Sequence, residues 1–137
     1  MKKRSIVVAS LLALSFTALA GKLERTTYEK QVVPAVTAAQ DTYKSSCGCA
    51  LKINVDTAVL TTNDQLLGAK HIAEHLKEGV EKYCTDAASK KALCQMKTLN
   101  IINAKPAAFT FKDGVGSCTD TGQETCAWEQ MTKVLDK

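Results

Sequence analysis

Six cysteines, Cys47, Cys49, Cys84, Cys94, Cys118 and Cys126, constrain this chain more than any other feature, provided that it matures outside the cytoplasm. The opening residues, "MKKRSIVVASLLALSFTALAGK", predict that it does. Lys2, Lys3 and Arg4 form a positive n-region, Ile6 to Phe16 an apolar run, and Ala18-Leu19-Ala20 the small-x-small pattern that signal peptidase cuts. That run falls short of the roughly 20 apolar residues needed to span a bilayer, and no cysteine near the cut offers a lipid anchor. The expected organisation is a signal peptide over 1–20, cleaved after Ala20, and one mature periplasmic domain over 21–137 with no membrane anchor.

In an oxidising compartment an even cysteine count predicts structural disulfides at all six positions, and no spacing rule selects among the pairings. Cys84 and Cys94 flank "TDAASKKAL", a turn between helical pieces, so a local bridge across that corner is expected. Cys118 and Cys126 either pair locally or cross to Cys47 and Cys49. A bridge within Cys47-Gly48-Cys49 would close a small, strained, easily reduced ring of the kind a redox catalyst uses. The structural alternative, which is favoured, has Gly48 ending a helix so that the two sulfurs face different partners. No C-x-x-C occurs, and the spacings are not paired as in zinc ribbons and fingers.

The remaining elements follow from pattern. "TTYEKQVVPAVTAAQDTYKSSCG" starts with Thr26-x-x-Glu29, a capping box, stops at Gly48, and carries Tyr28, Val32, Val36, Ala39 and Tyr43 on one helical face. Pro34 kinks this helix or starts its second half as a first-turn proline. "CALKINV" alternates as a half-buried strand; "DTAVLTTND" is a loop, with Asn63 or Asp64 capping the next helix. "TLNII" and "AAFTF", joined by "NAKP", predict an antiparallel hairpin. A second capping box, Thr121-x-x-Glu124, opens a last helix that turns Ala127, Trp128, Met131, Val134 and Leu135 inward. The fold class is α+β: a small antiparallel sheet of about three strands packed with helices and braced by disulfides.

Within "GAKHIAEHLKEG", His71 to His75 match H-x-x-E-H, a zinc-peptidase signature. The helical wheel argues against it. Ala69, Ile72, Ala73, Leu76, Val80 and Tyr83 share the core face, which leaves His71 and His75 beside Glu74, Glu78 and Lys82 in solvent. Glu78 could complete a surface trio with the two histidines, but a peptidase zinc needs a shaped, dry pocket. No metal and no other cofactor is expected. These are the only histidines, so no Ser-His or Cys-His nucleophile remains either. The carboxylates are not arranged in a pair about a glycosidic bond, and there is no Gly-rich phosphate loop. No catalytic residue is assigned.

Charge excludes further partners. Of 18 basic residues, three leave with the signal, so the mature chain has 15 against 14 acidic ones, a net charge of +1, and no nucleic-acid partner is expected. A stiff, nearly neutral exported domain suits binding to another protein, since a braced scaffold loses little entropy on docking. Two loops are presentable, 56–64 and 112–123. The second offers Asp113, Ser117, Thr119, Asp120 and Thr121 as the partner interface.

With "SSCGCALKINV", "YCTDAASKKALC" and "GSCTDTGQETCAWEQ" in place, the chain resembles, in architecture, the small periplasmic immunity proteins directed against peptidoglycan-degrading, lysozyme-like effectors of type VI secretion. The resemblance implies a non-enzymatic inhibitor that occludes the active-site cleft of a peptidoglycan hydrolase effector, often as a homodimer. No diagnostic motif is shared, so it transfers no functional residue. The competing reading is a periplasmic thiol- or metal-handling protein that uses Cys47 and Cys49 or His71 and His75.

Overall fold

The computed structural model describes residues 21–104, 108–119, 126 and 128–136; the signal-peptide segment, Asp120, Thr121 and the Thr121–Glu124 capping box lie outside the described residues. Helix α1 (Lys22–Thr27) passes through a π-helical turn (Tyr28–Val32) into α2 (Val33–Cys47). Strand β1 (Lys52–Val55) follows, then α3 (Asn63–Tyr83), α4 (Ala87–Leu93), β2 (Thr98–Ile102), β3 (Phe109–Lys112), β4 (Val115–Thr119) and α5 (Trp128–Leu135). The class is α+β, with helices against a four-stranded sheet.

Sheet topology departs from the expected hairpin. The order is β1-β2-β4-β3, with β1–β2 and β2–β4 parallel and only β3–β4 antiparallel, so the sheet is mixed. "TLNII" and "AAFTF" therefore do not pair; β4 lies between them. The local reason is Asp113-Gly114. Both residues sit at positive φ (52° and 81°), the pair of left-handed conformations that closes a two-residue hairpin with the right twist. Gly114 O then accepts from Lys97 N at 2.7 Å and Thr98 N at 3.2 Å, which fastens that turn to the start of β2.

Helix starts also differ from expectation. The first helix begins at Lys22, ahead of Thr26, so Thr26 is not its cap. Pro34 lies in the first turn of α2, directly after the π turn. Its ring supplies no N–H to the preceding carbonyls, and the wider turn accommodates that break without ending the helix. For α3 the cap is Thr62, one residue before the expected Asn63 and two before Asp64. Thr62 Oγ1 accepts from Gln65 N at 3.2 Å while Gln65 Oε1 accepts from Thr62 N at 3.1 Å, a complete capping box.

The core lies between α2, α3 and one sheet face. Val32, Ala39 and Tyr43 from the first helical stretch meet Leu66, Ile72, Leu76 and Val80 of α3 and Ile53, Leu99 and Ile101 of the sheet. Its buried polar atoms are satisfied: Tyr43 donates its hydroxyl to Leu93 O, and buried Thr27 donates to Asn63 Oδ1. Edge strand β1 is blunted by Gln40, whose Oε1 accepts from Ile53 N at 2.7 Å.

All six cysteines are paired, as Cys47–Cys84, Cys49–Cys94 and Cys118–Cys126. The expected Cys84–Cys94 bridge is absent because Gly48 caps α2 in the left-handed conformation (φ 80°) and turns the chain between Cys47 and Cys49. One sulfur then reaches Cys84 ahead of α4, and the other reaches Cys94 at the end of that helix. Cys118 and Cys126 pair locally, with Cα atoms 5.5 Å apart.

Candidate functional site

Strand alternation gives the sheet two unlike faces. Ile53, Leu99, Ile101, Gly116, Cys118 and Phe109 turn toward the helices. On the outward face the register lines up Asn54, Asn100, Ser117 and Thr110 in one row across the strands, and Lys52, Thr98, Val115 and Lys112 in the next. Asn54 Nδ2 donates to Asn100 Oδ1 at 3.0 Å, so the first row is partly ordered by its own amides.

This outward face receives part of the expected interface. Ser117 lies half-buried at the centre of the polar row. Asp113 is exposed at the tip of the β3–β4 hairpin. Thr119 is committed to local structure, its Oγ1 accepting from Ala108 N at 2.7 Å. Asp120 and Thr121 fall outside the described residues, so of the set the structure places Asp113, Ser117 and Thr119, all on the β3–β4 hairpin. Loop 56–64 is less presentable than expected: Leu60 is fully buried, Thr57 is buried, and Asp56 O accepts from Val59 N and Leu60 N.

The hairpin end is basic as well as braced by hydrogen bonds to β2. Lys112 precedes the Asp113-Gly114 turn, Lys97 runs past it with its Cγ close to Gly114, and Lys52 occupies the same row as Lys112 on the far strand. Three ammonium groups and one carboxylate thus share one end of the sheet.

The histidine signature stands as the wheel requires. His71 and His75 are both exposed on α3, and His71 Nδ1 lies 3.5 Å from Glu74 Oε1. Among the described residues no three His, Cys, Asp or Glu side chains converge to hold a metal. Cys47 and Cys49 belong to separate cystines, so no C-x-C redox ring exists. Among the described residues no helix is long and apolar enough to cross a membrane.

Sequence reasoning missed a groove of about 460 Å³ between α3 and α5, lined by His75, Glu78, Gly79, Lys82, Tyr83, Trp128 and Glu129. Trp128, expected to turn inward, is only half-buried and lies across Gly79, so closely that a Cβ at position 79 would come within 2.4 Å of the indole. Tyr83 meets Trp128 edge to face, with centroids 5.9 Å apart and planes at 80°. Desolvation pushes the Tyr83 phenol up to about 12, helped by its hydrogen bond to Asp136 and by the charges of Asp136 and Asp86. The available signal was Gly79 itself, a helix-weakening residue on the polar flank of a long helix, with one tryptophan in the chain to cover it. No family model, no curated protein and no solved structure matches the chain.

Proposed function

We propose that this chain is an exported, non-enzymatic inhibitor of a peptidoglycan-degrading enzyme, an immunity-type protein that occludes its target's active-site cleft. The observation that carries the reading is the β3–β4 hairpin end. Its tip is a two-residue turn fastened to β2, and it presents Asp113 flanked by Lys97 and Lys112. Enzymes that hydrolyse glycosidic bonds work with a pair of carboxylates in a cleft. A braced turn with ammonium groups beside it complements such a cleft in sign, and preorganisation lowers the entropy that docking must overcome. Ser117 and the amide row behind it supply hydrogen bonds at the cleft's rim.

The test mixes purified residues 21–137 with a panel of lysozyme-like muramidases, any encoded beside its own gene included, and follows clearing of a peptidoglycan suspension. Stoichiometric loss of hydrolysis is expected, with Lys97→Glu plus Lys112→Glu abolishing it at unchanged thermal stability. Light scattering of the free and mixed protein separates a monomer from the homodimer that the resemblance implies. Undiminished hydrolysis across the panel, with no complex on size exclusion, would sink the reading.

A further inference from the structure

We propose that the groove between α3 and α5 is a binding site for a neutral saccharide, seated against Trp128 with its hydroxyls shared among Glu78, Lys82 and Glu129. The inference stands apart from the inhibitor reading, since it concerns a different surface. At about 460 Å³ the groove has the size of a small-ligand site, which runs from roughly 300 to 1,000 Å³.

The lining selects the ligand's chemistry. Its apolar part is aromatic and held in place: Trp128 packs over Gly79, Tyr83 abuts it at 80°, and Asp136 takes the Tyr83 hydroxyl. His75, Glu78 and Lys82 stand along α3 on one stripe, and Glu129 faces them from α5. The groove therefore has acceptors in two carboxylates and donors in an ammonium and the imidazole. A cationic ligand would meet Lys82, and an anionic one would meet Glu78 and Glu129. A purely apolar one would desolvate charges without pairing them. A pyranose ring has what remains: a C–H face for the indole, and hydroxyls that donate to carboxylates and accept from ammonium. The open side of the groove leaves the ligand's other hydroxyls in water, as a terminal or internal unit of a longer glycan requires.

Trp128 is the only tryptophan, so emission of the unaltered protein excited at the red edge, where tyrosine does not absorb, reports on this groove alone. Triacetylchitotriose, cellotriose and maltotriose are titrated separately, followed by methylguanidinium and acetate as ionic probes. A saturable emission shift with at least one trisaccharide is expected. Glu78→Gln and Lys82→Ala should each weaken it roughly tenfold, the effect of losing one charge-assisted hydrogen bond. Glu24→Gln, on α1 and outside the groove, should leave it unchanged, and circular dichroism should show every variant folded. No saturable shift with any of the three sugars, equal affinity in the Glu78 and Lys82 variants, or saturation by an ionic probe instead would overturn the proposal. Inhibition of a hydrolase is read in a separate assay, so either idea can fail while the other stands.

Discussion

Cys47 and Cys49, separated by Gly48 alone, hold opposite ends of the same short helix: Cys47 bonds Cys84 just before α4, and Cys49 bonds Cys94 just after it. The two bridges span 37 and 45 residues of sequence. Once either exists, however, the other closes only the small ring that runs through Gly48 and α4. The cystines are therefore coupled.

That coupling fixes the order of costs when they are removed. Either long bridge alone would restrict the unfolded chain by about 4 kcal/mol, but the second to form closes a short ring worth about 3 kcal/mol. Replacing Cys49 and Cys94 by Ala should then cost about 3 kcal/mol with Cys47–Cys84 intact, and about 4 kcal/mol without it. Urea unfolding of the two double variants and the quadruple variant measures both steps. Equal steps would show that the bridges act independently.

Alkaline titration probes the tyrosines. Burial raises the phenol pKa of Tyr28, Tyr43 and Tyr83 alike, and Asp136 and Asp86 add to it at Tyr83, which reaches about 12. These are all the tyrosines of the chain. Because the fold favours the neutral phenol, its stability is full below the ordinary value of about 10 and falls as pH rises through the folded values. Phenolate absorbance of the native protein should show no group ionising at the ordinary value, and all three should do so in denaturant. Asp136→Asn should lower one native phenol part of the way, because it removes the carboxylate acceptor and its charge while burial, the largest cause, remains.

Gly116 tests the packing behind the polar row. A Cβ there would meet Met96 Sδ and the Phe109 ring, on a strand paired on both sides. Overpacking costs about 1–3 kcal/mol, whereas the less flexible unfolded chain returns about 0.4–1 kcal/mol. Gly116→Ala should therefore lose about 1–2 kcal/mol in urea or thermal unfolding. Adding Met96→Ala should cost less than the sum of the two single changes, since truncation makes the room that the methyl needs. Strict additivity would mean that the sulfur is not what the methyl meets.

What could be read beforehand was whatever local periodicity specifies. The inward face of α3, from Ala69 through Val80, follows from helical spacing, and so does the outward placement of His71 and His75. Alternation also located β1, β2 and β3. Strand β4 was harder because Gly116 and Ser117 have poor strand propensity, and their places are set by Met96, Phe109 and the central position between β2 and β3. The Asp113-Gly114 pair was a hairpin signal in its own right, and giving it weight over "NAKP" would have yielded the β3–β4 pairing. Disulfide partners were out of reach, since they depend on the direction in which Gly48 sends the chain. The groove at Trp128 was equally hidden, because it exists only once α5 docks on Gly79.

Gly48 permits the clearest separation of backbone from packing. Its φ is 80°, and a Cβ built on it would have nothing within 4 Å. A side chain there meets open space, so any cost arises from the left-handed backbone alone. Gly48→Ala should therefore destabilise the oxidised protein by about 1 kcal/mol, and Gly48→Asn by less, because asparagine tolerates this conformation. The same turn aims Cys47 at Cys84 and Cys49 at Cys94. During oxidative refolding of the reduced chain, alanine should consequently raise the share of mispaired species, including Cys84–Cys94, while asparagine should restore most of the native pairing. Peptide mapping under non-reducing conditions counts these species directly. If alanine refolds with native pairing as complete as glycine, the turn follows the disulfides instead of directing them.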